Sequence, residues 1–210
     1  MSGVASEETS WGAFNGQEGR QRLVKSLLKE LKIGTFVETG TYRGETAEWA
    51  VEAGMRVFTV EVDESKREVL EGKFGGVEGV TLRMGDSREF LQGLISEVRC
   101  PLQRVMFYLD AHWCDDVPLR REVELITAYW RRSVIVIDDF EVPGDAGYGY
   151  DAYPSGLALR QDYLRPLPVH YFWPKMSSEE ETGAKRGCAV LAWEEAMVEE
   201  LGGVAGLRRG

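Results

Sequence analysis

Two apolar runs in this 210-residue chain end in carboxylates: Val105-Met-Phe-Tyr-Leu109 is followed by Asp110-Ala-His112, and Val134-Ile-Val-Ile137 by Asp138-Asp139. Acids gathered into one pocket repel one another and lose solvation, so they must take up protons or share a cation. Oxygen-only ligands suit a hard divalent ion, Mg²⁺ first with Ca²⁺ or Mn²⁺ as substitutes, whose open positions would be filled by water or substrate oxygens. The alternative for Asp110, Asp138 and Asp139 is to cap loops or to bind a cofactor by hydrogen bonds. His112 is the candidate base. An imidazole with a pKa near 6.5 is largely neutral at pH 7 and can take a hydroxyl proton as the oxygen attacks. Read instead as a core or metal-shell histidine, it would only position Trp113. The other histidine, His170, begins a strand-like run, where a packed or partly exposed ring is the simpler reading.

A second group of residues precedes these. Phe36-Val-Glu-Thr-Gly-Thr-Tyr-Arg-Gly44 is a short apolar run that ends in an acid, Glu38, and opens into a glycine turn, followed by a helical pattern from Glu45 to Val51. Strand, glycine turn and helix form the first half of a nucleotide-binding βαβ unit, where glycines let the backbone approach a ligand at a helix N-terminus. Glu61 closes the next apolar run, close to the roughly 20-residue distance at which an acid reaches ribose hydroxyls. The third glycine of the dinucleotide form is missing.

The elements that must hold these residues alternate along the chain. Leu23, Val24, Leu27, Leu28 and Leu31 follow a helical period. After Glu61 come a charged helix from Glu64 to Phe74, a strand Val80–Met84, and a helix opening near Asp86-Ser87, where both residues are good caps. Strands 105–109 and 134–137 are nearly continuous apolar runs, as expected when both faces are covered. A helix from Asp115 to Tyr129 lies between them. Residues 140–154 form a long Gly- and Tyr-rich loop of the kind that carries substrate contacts. A helix is expected over Ser155–Tyr163, then two strands, 169–172 and 186–193, joined as a hairpin by a polar segment. The pattern predicts a flexible N-terminus (1–10), one domain (11–193) and a C-terminal tail (194–210). Trp11 and Phe14 read as a hydrophobic plug on the first helix or as a lid over a ligand cleft, with Asn15 and Gln17 as polar contacts.

Composition narrows the function. With 43% hydrophobic residues the chain can bury one α/β core. A net charge of -10 repels polyanions, so nucleic acid is excluded as an expected partner. Cys100, Cys114 and Cys188 are odd in number and widely spaced, which predicts reduced thiols rather than disulfides or a zinc knuckle. No apolar run approaches the roughly 20 residues of a membrane span and the N-terminus lacks an apolar signal core, so a soluble, cytoplasmic protein with no membrane partner is expected. A homo-oligomer is compatible with this composition.

Glu-x-Gly-x-x-x-Gly followed by the acid Glu61 resembles the S-adenosylmethionine (SAM) pocket of class I methyltransferases. The resemblance implies a Rossmann-like, doubly wound, mostly parallel seven-stranded sheet with an antiparallel C-terminal hairpin. It places Glu38, Gly40, Thr41 and Gly44 at the amino-acid end of SAM, Glu61 on its ribose, Asp86 and Ser87 at the adenine, and Asp110 at the cofactor as well. Helix capping remains the other reading of Asp86 and Ser87. It also implies that the strands ending at Leu109 and Ile137 pair in parallel, which would set their ends about 5 Å apart. Asp110-Ala-His112 with Asp138-Asp139 is similar to the metal-dependent O-methyltransferases of the macrocin (sugar) type and, more distantly, the catechol type, in which acids at these strand ends hold Mg²⁺. The lysine base and ligand asparagine of the catechol type are missing. The resulting expectation is methyl transfer from SAM to a hydroxyl of a small-molecule acceptor. Two other classes stay open: an NAD(P)-dependent oxidoreductase, and a non-catalytic SAM- or nucleotide-binding protein.

Overall fold

The computed structural model describes residues 12–97, 104–112 and 116–210. Trp11, Trp113, Asp115, Cys100, Cys114 and the N-terminal ten residues, on which several expectations fall, lie outside these ranges. Eight strands form one sheet: β1 (Thr35–Thr39), β2 (Arg56–Glu61), β3 (Val80–Met84), β4 (Val105–Leu109), β5 (Ser133–Asp138), β6 (His170–Pro174), β7 (Cys188–Ala192) and β8 (Leu207–Arg209), in the order β3-β2-β1-β4-β5-β7-β6-β8. The first five pair in parallel, and β7, β6 and β8 are antiparallel. Connections from β1 to β2, β2 to β3, β3 to β4 and β4 to β5 each carry a helix, which is what parallel pairing of sequential strands requires.

Among the described residues, six α-helices cover the sheet: α1 (Glu18–Glu30), α2 (Glu45–Glu52), α3 (Arg67–Phe74), α4 (Ser87–Glu97), α5 (Leu119–Tyr129) and α6 (Glu195–Gly203). Strand alternation sorts the core into two layers. Phe36, Val57, Met106, Val134, Val136 and Val190 face α1, α2, α3 and α6, while Val37, Phe58, Phe107, Ile135, Ile137 and Leu191 face α4 and α5. Both faces of β4 and β5 are therefore apolar, and every residue of those two strands is buried. No described helix is long and apolar enough to cross a membrane. Cys188, the described cysteine, is a buried free thiol whose pKa burial pushes up to about 11.

Three sequence expectations change. The helix expected over 155–163 does not form: Gly156 adopts a φ of 87°, Tyr153 N–H bonds the Leu157 carbonyl, Leu159 N–H bonds the Asp151 carbonyl, and only Gln161–Leu164 makes a 3-10 turn. Pro154 and Gly156 favour this small return loop over a helix, and Leu159 is buried beneath it. Residues read as a tail supply α6 and the eighth strand, β8, because Val198, Leu201 and Leu207 complete the apolar layer over α1. α5 begins at Leu119, later than expected.

Candidate functional site

The parallel strands β1, β2, β4 and β5 all end on the same edge of the sheet, and the expected functional residues sit there. Even-numbered positions of β1 and odd-numbered positions of β2 face the α1 layer, so Glu38, Thr59 and Glu61 share one side. Glu38 is 1% exposed and accepts a 2.6 Å hydrogen bond from the Thr59 hydroxyl, which itself meets Thr41 Oγ1 at 2.6 Å. Burial pushes the Glu38 pKa up to about 8, with Glu61 adding repulsion and the Thr59 bond opposing it. Glu61 accepts the Tyr42 N–H at 2.7 Å and the Asp63 N–H at 2.8 Å, one on each carboxylate oxygen, which fixes its orientation. Beside it, Val62 is 70% exposed, an apolar surface next to an acid at a strand end.

The two glycines have structural reasons of their own. Gly40 has a φ of 84°, and a Cβ there would lie 2.4 Å from the Asp110 carbonyl oxygen, so a side chain would force apart the ends of β1 and β4. Gly44 takes the left-handed conformation in front of α2, against the Phe74 ring. At the start of α4, Asp86 accepts the Arg88 N–H at 2.7 Å and pairs with the Arg88 guanidinium, which also holds Asp116. The Arg88 hydrogen bond keeps the Asp86 pKa below its usual value. The capping reading of Asp86 is thus satisfied by the chain itself, and Ser87 is buried behind it.

The carboxylates after β4 and β5 do converge, but as a different trio from the one expected. Asp110, His112 and Asp139 each offer a ligand atom, all within 4.8 Å of one another. Asp138 departs from this group because strand alternation turns it to the face of Val134 and Val136. There it is 1% exposed and bonded on all sides: Arg20 Nη1 donates to it at 2.5 Å, the Tyr108 hydroxyl at 2.5 Å, Asn15 Nδ2 at 3.0 Å and the Asp139 N–H at 2.9 Å. Burial opposes its charge, but Arg20 and these hydrogen bonds hold its carboxyl below the usual range. Asp139, in a left-handed conformation with φ 52°, turns back toward the α5 side loops and accepts Arg186 Nε at 2.5 Å.

The two carboxylates of the trio resist ionisation. Burial and the neighbouring Asp138 and Asp139 push Asp110 well above the ordinary carboxylate value, and burial with Asp138 pushes Asp139 up to about 7. His112 is 1% exposed, its Nε2 lies 3.7 Å from Asp110 Oδ1, and among the described residues neither ring nitrogen has a hydrogen-bond partner. Burial lowers its pKa to about 4, so the ring is neutral. Buried imidazole nitrogens ordinarily find partners, so this ring stands ready to accept one more hydrogen bond or a ligand.

Three further residues complete the site. Arg20 on α1 is buried under Asp138. Arg186, just before β7, pairs with Asp139 and with Asp151 from the Tyr-rich loop. Asp151 is anchored by its N–H to the Asp139 carbonyl at 2.9 Å, and Tyr153 from the same loop donates its hydroxyl to the His112 carbonyl. Arg20 sits among apolar helix positions, and that break in the pattern was the one sequence signal available for it. Arg186 and Asp151 carry no spacing signal, since their meeting depends on how the loop folds back. The N-terminal segment joins them: Phe14 is buried edge-on against Trp49 and Tyr108, Asn15 reaches Asp138, and Gln17 holds both the N–H and the carbonyl of Arg186. Phe14 is packed as a plug while its neighbours supply polar contacts.

No protein-family model matches the chain, and no curated protein sequence does. Solved structures match along most of its length. A protein designated a caffeoyl-CoA O-methyltransferase from Staphylococcus aureus aligns at 15% identity over 82% of this chain and 81% of that one, with a TM-score of 0.56. Rv0187 from MTB, solved with its cofactor bound, aligns at 16% identity over 92% of this chain and 84% of that one, TM-score 0.58. A variant of MtNAS in complex with S-adenosylmethionine aligns at 19% identity over 84% of this chain but only 62% of that one, TM-score 0.52. At such identities the likeness establishes the fold, a Rossmann-like methyltransferase fold with a parallel core and an antiparallel C-terminal hairpin.

Proposed function

We propose that this protein transfers a methyl group from SAM to a hydroxyl of a small-molecule acceptor, assisted by a divalent cation. The observation that carries the reading is the juxtaposition, at one sheet edge, of Glu38, Gly40 and Glu61 with the Asp110, His112 and Asp139 cluster and its unpartnered imidazole. The O-methyltransferase and the SAM-bound protein among the structural neighbours support it. The donor set fits a cation: two carboxylates with raised proton affinity and one neutral imidazole. Counting outward, the carboxylates of Asp110, Asp138, Asp139 and Asp151 outnumber the guanidiniums of Arg20 and Arg186 by two, the charge of one divalent ion. With a nitrogen donor in place of Asp138, the set suits Mn²⁺ or another transition metal as well as Mg²⁺.

The chain's own residues have defined tasks in this reading. Glu38, largely protonated when alone at neutral pH, regains its charge beside the ammonium of the donor's amino-acid end. Glu61, held by two backbone N–H groups, keeps lone pairs for the ribose hydroxyls. Asp110, His112 and Asp139 would hold a cation. Arg186 keeps Asp139 and Asp151 in place, and the loop carrying Asp151 and Tyr153 closes the acceptor side. Bound SAM supplies an electrophilic methyl group, and a bound cation would acidify and orient the acceptor hydroxyl. His112, expected from sequence as general base, serves better as a cation ligand: a pKa of about 4 lies far below the neutral range in which a base is efficient.

Glu61→Ala tests the donor assignment. Removing a charged acceptor from two ribose hydroxyls is expected to weaken SAM binding by about 1.5–3 kcal/mol, roughly ten- to a hundredfold. Calorimetric titration reads this, with a melting curve beside it because the same change frees the Tyr42 and Asp63 N–H groups. SAM affinity equal to that of the wild type would remove Glu61 from the donor site.

A further inference from the structure

Glu122, in the first turn of α5, is fully buried, and among the described residues neither of its carboxylate oxygens has a hydrogen-bond partner. The Thr39 hydroxyl is likewise buried and unpartnered. The Ser87 and Thr39 hydroxyls face Glu122 closely enough to ease its ionisation, though neither meets hydrogen-bond geometry. Asp86 and Arg88 from the start of α4, and Tyr163 from the 3-10 turn over Gln161–Leu164, are the charged and titratable groups around it. Burial outweighs the hydroxyls and pushes the Glu122 pKa up to about 7.

An acid left alone in an apolar layer costs free energy that leucine or methionine would not, so its position calls for a compensating role. Its two hydroxyl neighbours are informative. Thr39 is the last residue of β1, directly before Gly40, and its carbonyl accepts the Asp110 N–H at 3.0 Å. Ser87 opens α4 directly after Gly85-Asp86. Thr39 adjoins the Gly40 segment assigned above to the methyl donor, Ser87 adjoins the α4 start that the class I resemblance places at its adenine, and the packing of α4 on α5 brings Glu122 to both.

We infer that Glu122 is a positioning residue of the donor site, its carboxyl joining the end of β1 to the start of α4 through the Thr39 and Ser87 hydroxyls when the donor is bound. Either form can link the two hydroxyls, the neutral acid by donating to one and accepting from the other, the carboxylate by accepting from both; what sets them apart is the buried, uncompensated charge of the carboxylate, which forces the two segments to rearrange to relieve it. Glu122 touches neither donor nor acceptor. It acts on the spacing of the two segments that do. The inference rests on the donor reading above and adds to it a protonation requirement.

The test is calorimetric titration of S-adenosylhomocysteine into the wild type, Glu122→Gln and Glu122→Leu at about pH 6 and about pH 8.5, on either side of the Glu122 value. Glutamine keeps one donor and one acceptor at every pH. Relative to Glu122→Gln, the wild type should lose affinity several-fold between the two pH values, and Glu122→Leu should bind roughly tenfold more weakly at both. Glu38 also titrates in this range, and its ionisation favours the ligand's ammonium; the comparison with Glu122→Gln, where Glu38 is intact, isolates the Glu122 contribution. A purely structural role has a different signature. A raised pKa favours the neutral form in the fold, so stability should fall as pH rises from the ordinary 4.5 toward 7 in the wild type and not in Glu122→Gln. That stability change with identical ligand affinity in all three proteins would overturn the inference. If Glu122→Leu does not fold, Glu122→Gln decides: a pH dependence of binding equal to that of the wild type rejects the role. Absence of binding by the wild type at both pH values would overturn the donor reading, and this inference with it.

Discussion

His112→Ala is expected to lower methyl transfer by about a hundredfold or more, because losing a cation ligand costs at least the roughly 10–100-fold that follows loss of a residue supporting one. The ring is fully enclosed, with both nitrogens unsatisfied, so removing it leaves a polar gap between Asp110 and Asp139 rather than an unfilled apolar hole. As a cation ligand, His112 should affect two quantities together. Mn²⁺ affinity, read by electron paramagnetic resonance, should drop in step with the rate. A fall in rate with unchanged Mn²⁺ affinity would return the imidazole to the role of base, and a rate within a few-fold of wild type would remove it from the reaction. A packing histidine would instead lower the melting temperature and leave both quantities near wild type.

The second large effect concerns stability. Arg20→Met breaks a pair in which both side chains are almost completely buried, leaving the Asp138 carboxylate without its counter-charge at the end of β5. Loss of one partner of a buried pair typically costs about 3–5 kcal/mol, and chemical denaturation of the variant should register a change of that size. The exposed Arg67 pair with Glu64 and Glu71 provides the control, and Arg67→Ala should unfold like the wild type. The sign of the pH dependence follows from the lowered Asp138 pKa. An acid held below its ordinary 3.8 binds a proton more readily in the unfolded chain, so the pair's contribution is complete at neutral pH and disappears only as the pH falls below that value. Denaturation midpoints of Arg20→Met and wild type should therefore converge in strong acid. A constant gap down to about pH 2 would show that Arg20 stabilises by packing alone.

Much of the fold was legible because period and composition agreed. The runs at 105–109 and 134–137 are short and apolar throughout, as strands covered on both faces are, and the Leu23–Leu31 spacing follows a helical period. The hairpin was legible because no helical pattern separates β6 from β7. What failed was local chemistry overridden by tertiary packing. Residues 155–163 carry apolar spacing compatible with a helix, but Pro154 and Gly156 turn the chain so that Leu159 can be buried against Glu141 and Asp151. The tail was unreadable because α6 and β8 are short and find their place only once α1 and β6 exist to receive them. At the site, the strand-end acids were visible and their directions were not. Asp138 and Asp139 are neighbours in sequence and lie in different environments, one locked by Arg20 and Tyr108, the other turned toward His112 by a left-handed backbone. Arg20 and Arg186, which decide how much negative charge remains for a cation, had no motif to announce them.

Methyl transfer to a hydroxyl at a cation-dependent site is the activity proposed for this protein. Its most direct test is incubation of the purified protein with SAM carrying an isotopically labelled methyl group and a panel of hydroxylated sugars and aromatic acceptors, before and after chelation and with Mg²⁺ or Mn²⁺ restored. The expected result is label recovered as an O-methyl ether of at least one acceptor, lost on chelation and regained with the ion. Label transferred at full rate after exhaustive chelation would contradict the role given to Asp110, His112 and Asp139, and SAM that neither binds nor loses its methyl group in the presence of every acceptor and ion would contradict the account as a whole.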